Sequence, residues 1–149
     1  MNTTWSVICS SVKASFFNIP ILFPNDVDWD GVFTEAKKQA IVSIVRSGLK
    51  NQLPPEFATT WKIYTLQDIS HGVQMLEAQN ELTTLLDENH IYHTILKGTS
   101  AAIYYPEPFL RSMGDVDFWV PKEQFASAMK YWKNTALLRS MVAIHGILS

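Results

Sequence analysis

Around Asn89 the hydrophobic pattern changes period, and that change constrains the fold more than any other feature of this 149-residue chain. Before it, apolar residues recur at three- and four-residue steps, the spacing of helices. After it come two short runs rich in β-branched and aromatic residues, Ile91-Tyr92-His93-Thr94-Ile95-Leu96 and Asp115-Val116-Asp117-Phe118-Trp119-Val120. Both read as strands. Between them, Gly98 ends the first run and Thr99 to Tyr105 starts a short helix that Pro106 and Pro108 stop. Pro121 suits the first turn of a further helix, on which Phe125, Met129 and Trp132 fall at helical spacing. The order strand–helix–strand–helix is the skeleton of a small α/β (α+β) unit. The division expected is therefore an N-terminal helical region over residues 1–89 and a partial α/β core over residues 90–149.

Within the first region, residues 3–17 form a helix with Trp5, Ile8, Val12 and Phe16 on one broad face. The proline-containing stretch Asn18 to Asn25 breaks it. Asp28 then caps a helix bearing Trp29, Phe33, Ala36, Ala40, Ile41, Ile44 and Val45, with Lys37 and Lys38 facing out and Gly48 at its end. Pro54-Pro55 opens a long helix to about Asn89. Its apolar residues make two faces, Ile69, Val73 and Leu76 against Met75, Leu82 and Leu86, so neighbours are expected on both sides. In the tail, Leu137, Met141, Ile144 and Leu148 again follow helical spacing, and the five tryptophans read as core.

Composition removes several function classes. With 12 Lys+Arg against 14 Asp+Glu the chain has no electrostatic footprint for polymeric nucleic acid, although four basic residues follow Pro121 against Glu123 alone. The single cysteine, Cys9, has no internal partner for a disulfide. A chain of this length with 47% hydrophobic residues can build its own core. The longest uncharged run, Ala14 to Asn25, carries Pro20 and Pro24 and falls short of the ~20 apolar residues a bilayer span needs. The start, Met1-Asn2-Thr3-Thr4, lacks the charge pattern of a secretory signal. A soluble, cytoplasmic protein is the expectation.

Asp115 and Asp117 carry the clearest chemistry. Residues two apart on a strand project from one face, roughly 6.6 Å apart along the chain. Two bare carboxylates that close repel unless a cation lies between them, and Mg²⁺ prefers such hard oxygen ligands. Alone, an Asp-x-Asp pair is far more often two solvent-facing acids on a half-buried strand. The second element is Lys97-Gly98-Thr99-Ser100, a strand end, a glycine and two hydroxyls at a helix start, where backbone N–H groups favour an anion. Alone, it is an ordinary capped turn. His90 and His93 are too few for a zinc site. Tyr104, Tyr105 and Phe109 could stack on a base, packing being the more ordinary role.

Taken together, residues 95–120, ILKGTSAAIYYPEPFLRSMGDVDFWV, resemble the DNA polymerase beta-like nucleotidyltransferases. More specifically they are similar to an uncharacterised bacterial nucleotidyltransferase family with a Lys-Gly…Tyr-x-x-Pro…Arg…Gly-Asp-x-Asp signature. The segment from Asp26-Val27-Asp28-Trp29 onward looks like the same family, so the likeness covers residues 25 to about 130. The resemblance implies a polymerase beta-like core and Mg²⁺-dependent transfer of a nucleoside monophosphate from an NTP such as ATP to a hydroxyl-bearing acceptor. It implies that Gly98 with Thr99 or Ser100 binds the triphosphate, that Asp115 and Asp117 hold catalytic Mg²⁺, and that Lys97 and Arg111 serve beside them. Thr99 stands where the superfamily usually has Gly or Ser. The fifteen residues between Thr99 and Asp115 exceed the usual superfamily gap but match the narrower family. Superfamily enzymes generally add a third carboxylate on a later strand, whereas the last acid here is Glu123, and the chain reads as C-terminally truncated. Two alternatives therefore stay open: a nucleotide-binding or interaction module without full catalysis, and self-association through an exposed sheet edge.

Overall fold

The computed structural model describes residues 3–24, 26–133 and 142–144. They fall into two compact units, Met1–Ser70 with Tyr104–Ser112, and His71–Ile103 with Met113–Ser149.

The first unit is built from α1 (Thr3–Phe17), α2 (Trp29–Lys38), α3 (Val42–Leu49) and the N-terminal part of α4 (Pro55–Glu88). Val7, Ile8, Val32, Ala36, Val42, Val45 and Leu49 pack around the buried Trp61. The buried face of α1 is Val7, Ile8, Ser11 and Ala14, rotated from the expected one, and Trp5 remains 39% exposed. Gly48 gives the reason. A Cβ there would lie 1.8 Å from the Ser11 carbonyl oxygen, so α1 crosses α3 at backbone contact and small residues must face the crossing. Gly48 thus sits inside α3 rather than ending a helix, and Lys50 follows as its cap at φ 51°.

The helix expected from Asp28 to Gly48 is two helices. Asp28 caps α2 as expected, its Oδ1 accepting from the Gly31 N–H at 2.9 Å. Ala40 then takes φ +54°, its N–H donating to the Lys37 carbonyl at 3.1 Å while the Ile41 N–H reaches the Ala36 carbonyl at 2.9 Å. This pair of bonds is the Schellman closure, here made without glycine, and periodicity alone did not reveal it because the apolar spacing continues across the break.

In the second unit, the C-terminal part of α4 supplies Met75, Ala78, Leu82 and Leu86 to a core shared with Ile91, Val116, Phe118, Val120 and Ala128. The helix ends in the same closure: His90 takes φ +54°, with its N–H on Asp87 O and the Ile91 N–H on Leu86 O, both at 2.9 Å. Gln124 pins this corner, accepting from the Tyr92 N–H at 2.8 Å and donating to the His90 carbonyl at 3.1 Å. Then follow β1 (Thr94–Ile95), α5 (Thr99–Ala102), β2 (Val116–Trp119), a 3₁₀ turn (Lys122–Gln124), α6 (Phe125–Lys133) and β3 (Val142–Ile144). The β1 strand and α5 are shorter than expected.

The sheet has the order β1-β2-β3. β1 runs antiparallel to β2, with Ile95 opposite Phe118, and β3 runs parallel to β2, with Ala143 opposite Asp117. The helical reading of the tail is overturned at Val142–Ile144, where pairing with β2 outweighs the local spacing; residues 137, 141 and 148 lie outside the described ones. β2 is consequently central, and Val116, Asp117 and Phe118 are all buried, as in a strand covered on both faces. Of the tryptophans, Trp61 is 1% exposed, Trp29 packs edge-on against Phe23, Trp119 is half-buried, and the side chain of Trp132 is not among those described. Among the described residues, no helix is long and apolar enough to cross a membrane.

Candidate functional site

β1 leads to the glycine bend and β2 carries Asp117, with Asp115 just before it, so the pairing of the two strands decides what meets. One step past β1, the Leu96 N–H donates to the Asp117 carbonyl at 2.9 Å. This sets Lys97 beside Asp117, and its Nζ lies 2.6 Å from Asp117 Oδ2. The two side chains differ sharply in exposure, 60% for Lys97 and 1% for Asp117. A buried carboxylate is costly unless compensated, and the ammonium provides that compensation from the solvent side. Gly98 follows at φ +74°, ψ −115°, a conformation closed to residues with a Cβ. A Cβ at that position would meet Asp115 O at 3.5 Å, an ordinary contact, so the glycine is required by conformation rather than by space. Its carbonyl accepts from the Ala101 and Ala102 N–H groups, both at 3.2 Å, and so opens α5.

Asp115 and Asp117 do not share one exposed face. Asp115 precedes β2 and is exposed, while Asp117 lies within the strand and is buried. Thr99 and Ser100 follow the bend, and both hydroxyls have partners in the chain: Thr99 Oγ1 donates to Gln79 Oε1, and Ser100 Oγ to Ile95 O at 3.5 Å. Gln79, on α4, gives no signal in the sequence beyond its place in a helical pattern. Arg111 belongs to the first unit, half-buried after a 3₁₀ turn (Pro108–Leu110). Next to it, Ser112 Oγ donates to Asp68 Oδ1, and Asp68 Oδ2 accepts from Ser43 Oγ at 2.6 Å. Of the predicted site residues, the second unit therefore brings together Lys97, Gly98, Asp115 and Asp117, with Thr99 and Ser100 adjoining in the chain.

His93 Nδ1 lies 3.1 Å from Ile91 O and 3.8 Å from Asp87 Oδ1. Among the described residues no group of three or more His, Cys, Asp or Glu could hold a metal ion. Tyr105 packs edge-on against Phe16 at 5.2 Å, Phe109 is half-buried, and Tyr104 is 78% exposed instead of packed.

Hard oxygen donors from Asp115 and Asp117 suit a divalent cation of the Mg²⁺ type, and the position against Asp117 already accepts positive charge. Fold and geometry together describe a helix-rich α/β protein whose central strand carries Asp117, with Asp115 just before it, beside a glycine bend, an arrangement consistent with a nucleotidyltransferase-like fold. Residues 25–135 match the protein family described as uncharacterised nucleotidyltransferase, and the chain belongs to that family. No curated protein and no solved structure matches it.

Proposed function

We propose that the chain transfers a nucleoside monophosphate from an NTP to a hydroxyl-bearing acceptor in the cytoplasm, in a Mg²⁺-dependent reaction that releases pyrophosphate. Family membership supports the reaction class. The observation that carries the finer reading is the junction of bend and acidic strand, with Lys97 Nζ 2.6 Å from Asp117 and Gly98 against the Asp115 carbonyl.

In this reading Asp115 and Asp117 hold the Mg²⁺, which when bound neutralises charge on the triphosphate and on departing pyrophosphate. Gly98 lets the backbone come close to the phosphates, and the Thr99 and Ser100 hydroxyls donate to them once turned from Gln79 Oε1 and Ile95 O. Lys97 adds positive charge where negative charge develops. The acceptor oxygen bonds to the α-phosphorus as the bond from that phosphorus to the bridging α–β oxygen breaks. The electron pair leaves with pyrophosphate, and the acceptor proton passes to water.

A second reading keeps the same pocket without turnover: a module that binds a nucleotide and presents it. It is favoured by the state of Asp117, which is 1% exposed and already paired with Lys97. Equilibrium dialysis with Mg²⁺ and each NTP, ATP first, tests the binding common to both. Asp115→Asn is expected to abolish it, and binding that survives the substitution overturns the proposal. Pyrophosphate release then separates transferase from module.

A further inference from the structure

Lys97 stands out because one side chain has two claims on it. It holds a buried carboxylate at 2.6 Å, yet it is itself 60% exposed and sits directly before a phosphate-binding bend as that bend is read above. We propose that Lys97 is an ionic placeholder: its ammonium occupies the cation position of Asp117 until a divalent metal ion arrives, and must leave that oxygen for the metal to bind. The inference rests on the reading of Asp117 as a metal ligand and adds how that ligand is held when no metal is present.

Three features carry it. First, Asp117 is 1% exposed, so its charge needs a counter-charge in the metal-free protein, and the salt bridge to Lys97 supplies one. Secondly, the ammonium is a compact charge on a flexible four-carbon stem reaching in from solvent, which makes its departure easy; a buried fork-shaped guanidinium would be held more firmly. Thirdly, a divalent ion and an ammonium repel, so both cannot sit within ligand distance of one carboxylate oxygen without mutual cost. Once released, Lys97 remains next to Gly98, where a metal-bound triphosphate would rest. Departure from Asp117 and arrival at the phosphates are then one exchange, and it biases the site toward taking metal and nucleotide together over metal alone.

The placeholder predicts effects of opposite sign, which a purely structural lysine would not give. Mn²⁺ alone is titrated into the full chain, and free Mn²⁺ is read by its EPR signal. Lys97→Met is expected to bind Mn²⁺ about tenfold more tightly than the unsubstituted chain, because a competing charge has gone. The same variant should bind ATP with Mn²⁺ more weakly in equilibrium dialysis. Lys97→Arg keeps a cation and should show no gain for Mn²⁺, and adding Asp117→Asn to Lys97→Met should erase the gain. Circular dichroism confirms folding. Should Lys97→Met unfold without metal, Lys97→Gln, whose amide still donates to the carboxylate, makes the same comparison. Equal Mn²⁺ affinity with and without the Lys97 ammonium overturns the placeholder and leaves Asp117 as a metal ligand. Mn²⁺ binding that does not change on Asp117→Asn overturns the ligand reading itself, and the placeholder with it.

Discussion

The two compact units bury polar groups in different ways. In the first, among the described residues, Ser43 Oγ donates across helices to Asp68 Oδ2 at 2.6 Å, while the other two buried hydroxyls bond within their own helices, Ser11 Oγ to Val7 O at 2.7 Å and Thr65 Oγ1 to Trp61 O at 2.8 Å. Such bonds satisfy the group locally and ask nothing of the surrounding core. In the second, the central strand buries a formal charge, and its ion-pair partner is a lysine that remains mostly in water. Packing does not explain that choice, because apolar residues in place of a buried ion pair often leave a fold as stable or more so. The buried polar groups named in the first unit are neutral hydroxyls, whereas the second unit buries a carboxylate, a cost that packing does not explain.

Gly48 and Gly98 express the same contrast in the backbone, and substituting each is the strongest way to test it. Gly48 is needed for space: a Cβ would sit 1.8 Å from the backbone oxygen of Ser11. Gly48→Ala should therefore force α1 and α3 apart and cost about 3 kcal/mol or more, read by urea denaturation. A loss below about 1 kcal/mol would mean that the crossing yields easily and that the first unit is not set by close packing. Gly98 is needed for conformation, since its missing Cβ would make no more than an ordinary contact. Gly98→Ala should cost about 1–3 kcal/mol of backbone strain and, in the proposed function, weaken ATP binding beyond what the stability loss explains. Dialysis at a temperature where the variant is fully folded separates those effects, and unchanged ATP binding would remove Gly98 from the site.

What the sequence made legible follows from how local each determinant is. The α1 and α4 helices are set by nearby residues, the prolines around them and their apolar spacing, and both lie where the pattern placed them. The Asp28 cap is equally local. The break at Ala40 was hidden because its signal is a backbone angle, and alanine carries no mark of φ > 0. The rotated face of α1 was hidden because it depends on Gly48, 37 residues from Ser11. β3 was hidden for the same reason, since its partner β2 lies more than twenty residues earlier. At the candidate site the spacing placed glycine bend and acids in one unit, yet it assigned both acids alike. Burial separates them: a central strand position encloses Asp117, and Asp115 just outside the strand stays in solvent. Lys97 read as a cation for phosphates, and its bond to Asp117 became visible only through the β1–β2 register.

The smallest expected effects test whether the units share any common rule. Both α2 and α4 close on a non-glycine residue in the left-handed region, Ala40 and His90, each at φ 54°. The same two backbone bonds are made at each, so neither closure depends on the side chain of the residue that bends. An L-residue is strained there relative to glycine, offset in part by the greater freedom glycine brings to the unfolded chain. Ala40→Gly is therefore expected to raise stability by about 0.5–1 kcal/mol. His90→Gly should gain less, because histidine enters this region more readily than alanine. The Gln124 bond to residue 90 survives the change, since it is made to the backbone carbonyl. Thermal melts of the two variants check the order. A gain at Ala40 with none at His90 sharpens the contrast between the units, and a loss at Ala40 would show that its methyl group contributes packing that the strain argument ignores.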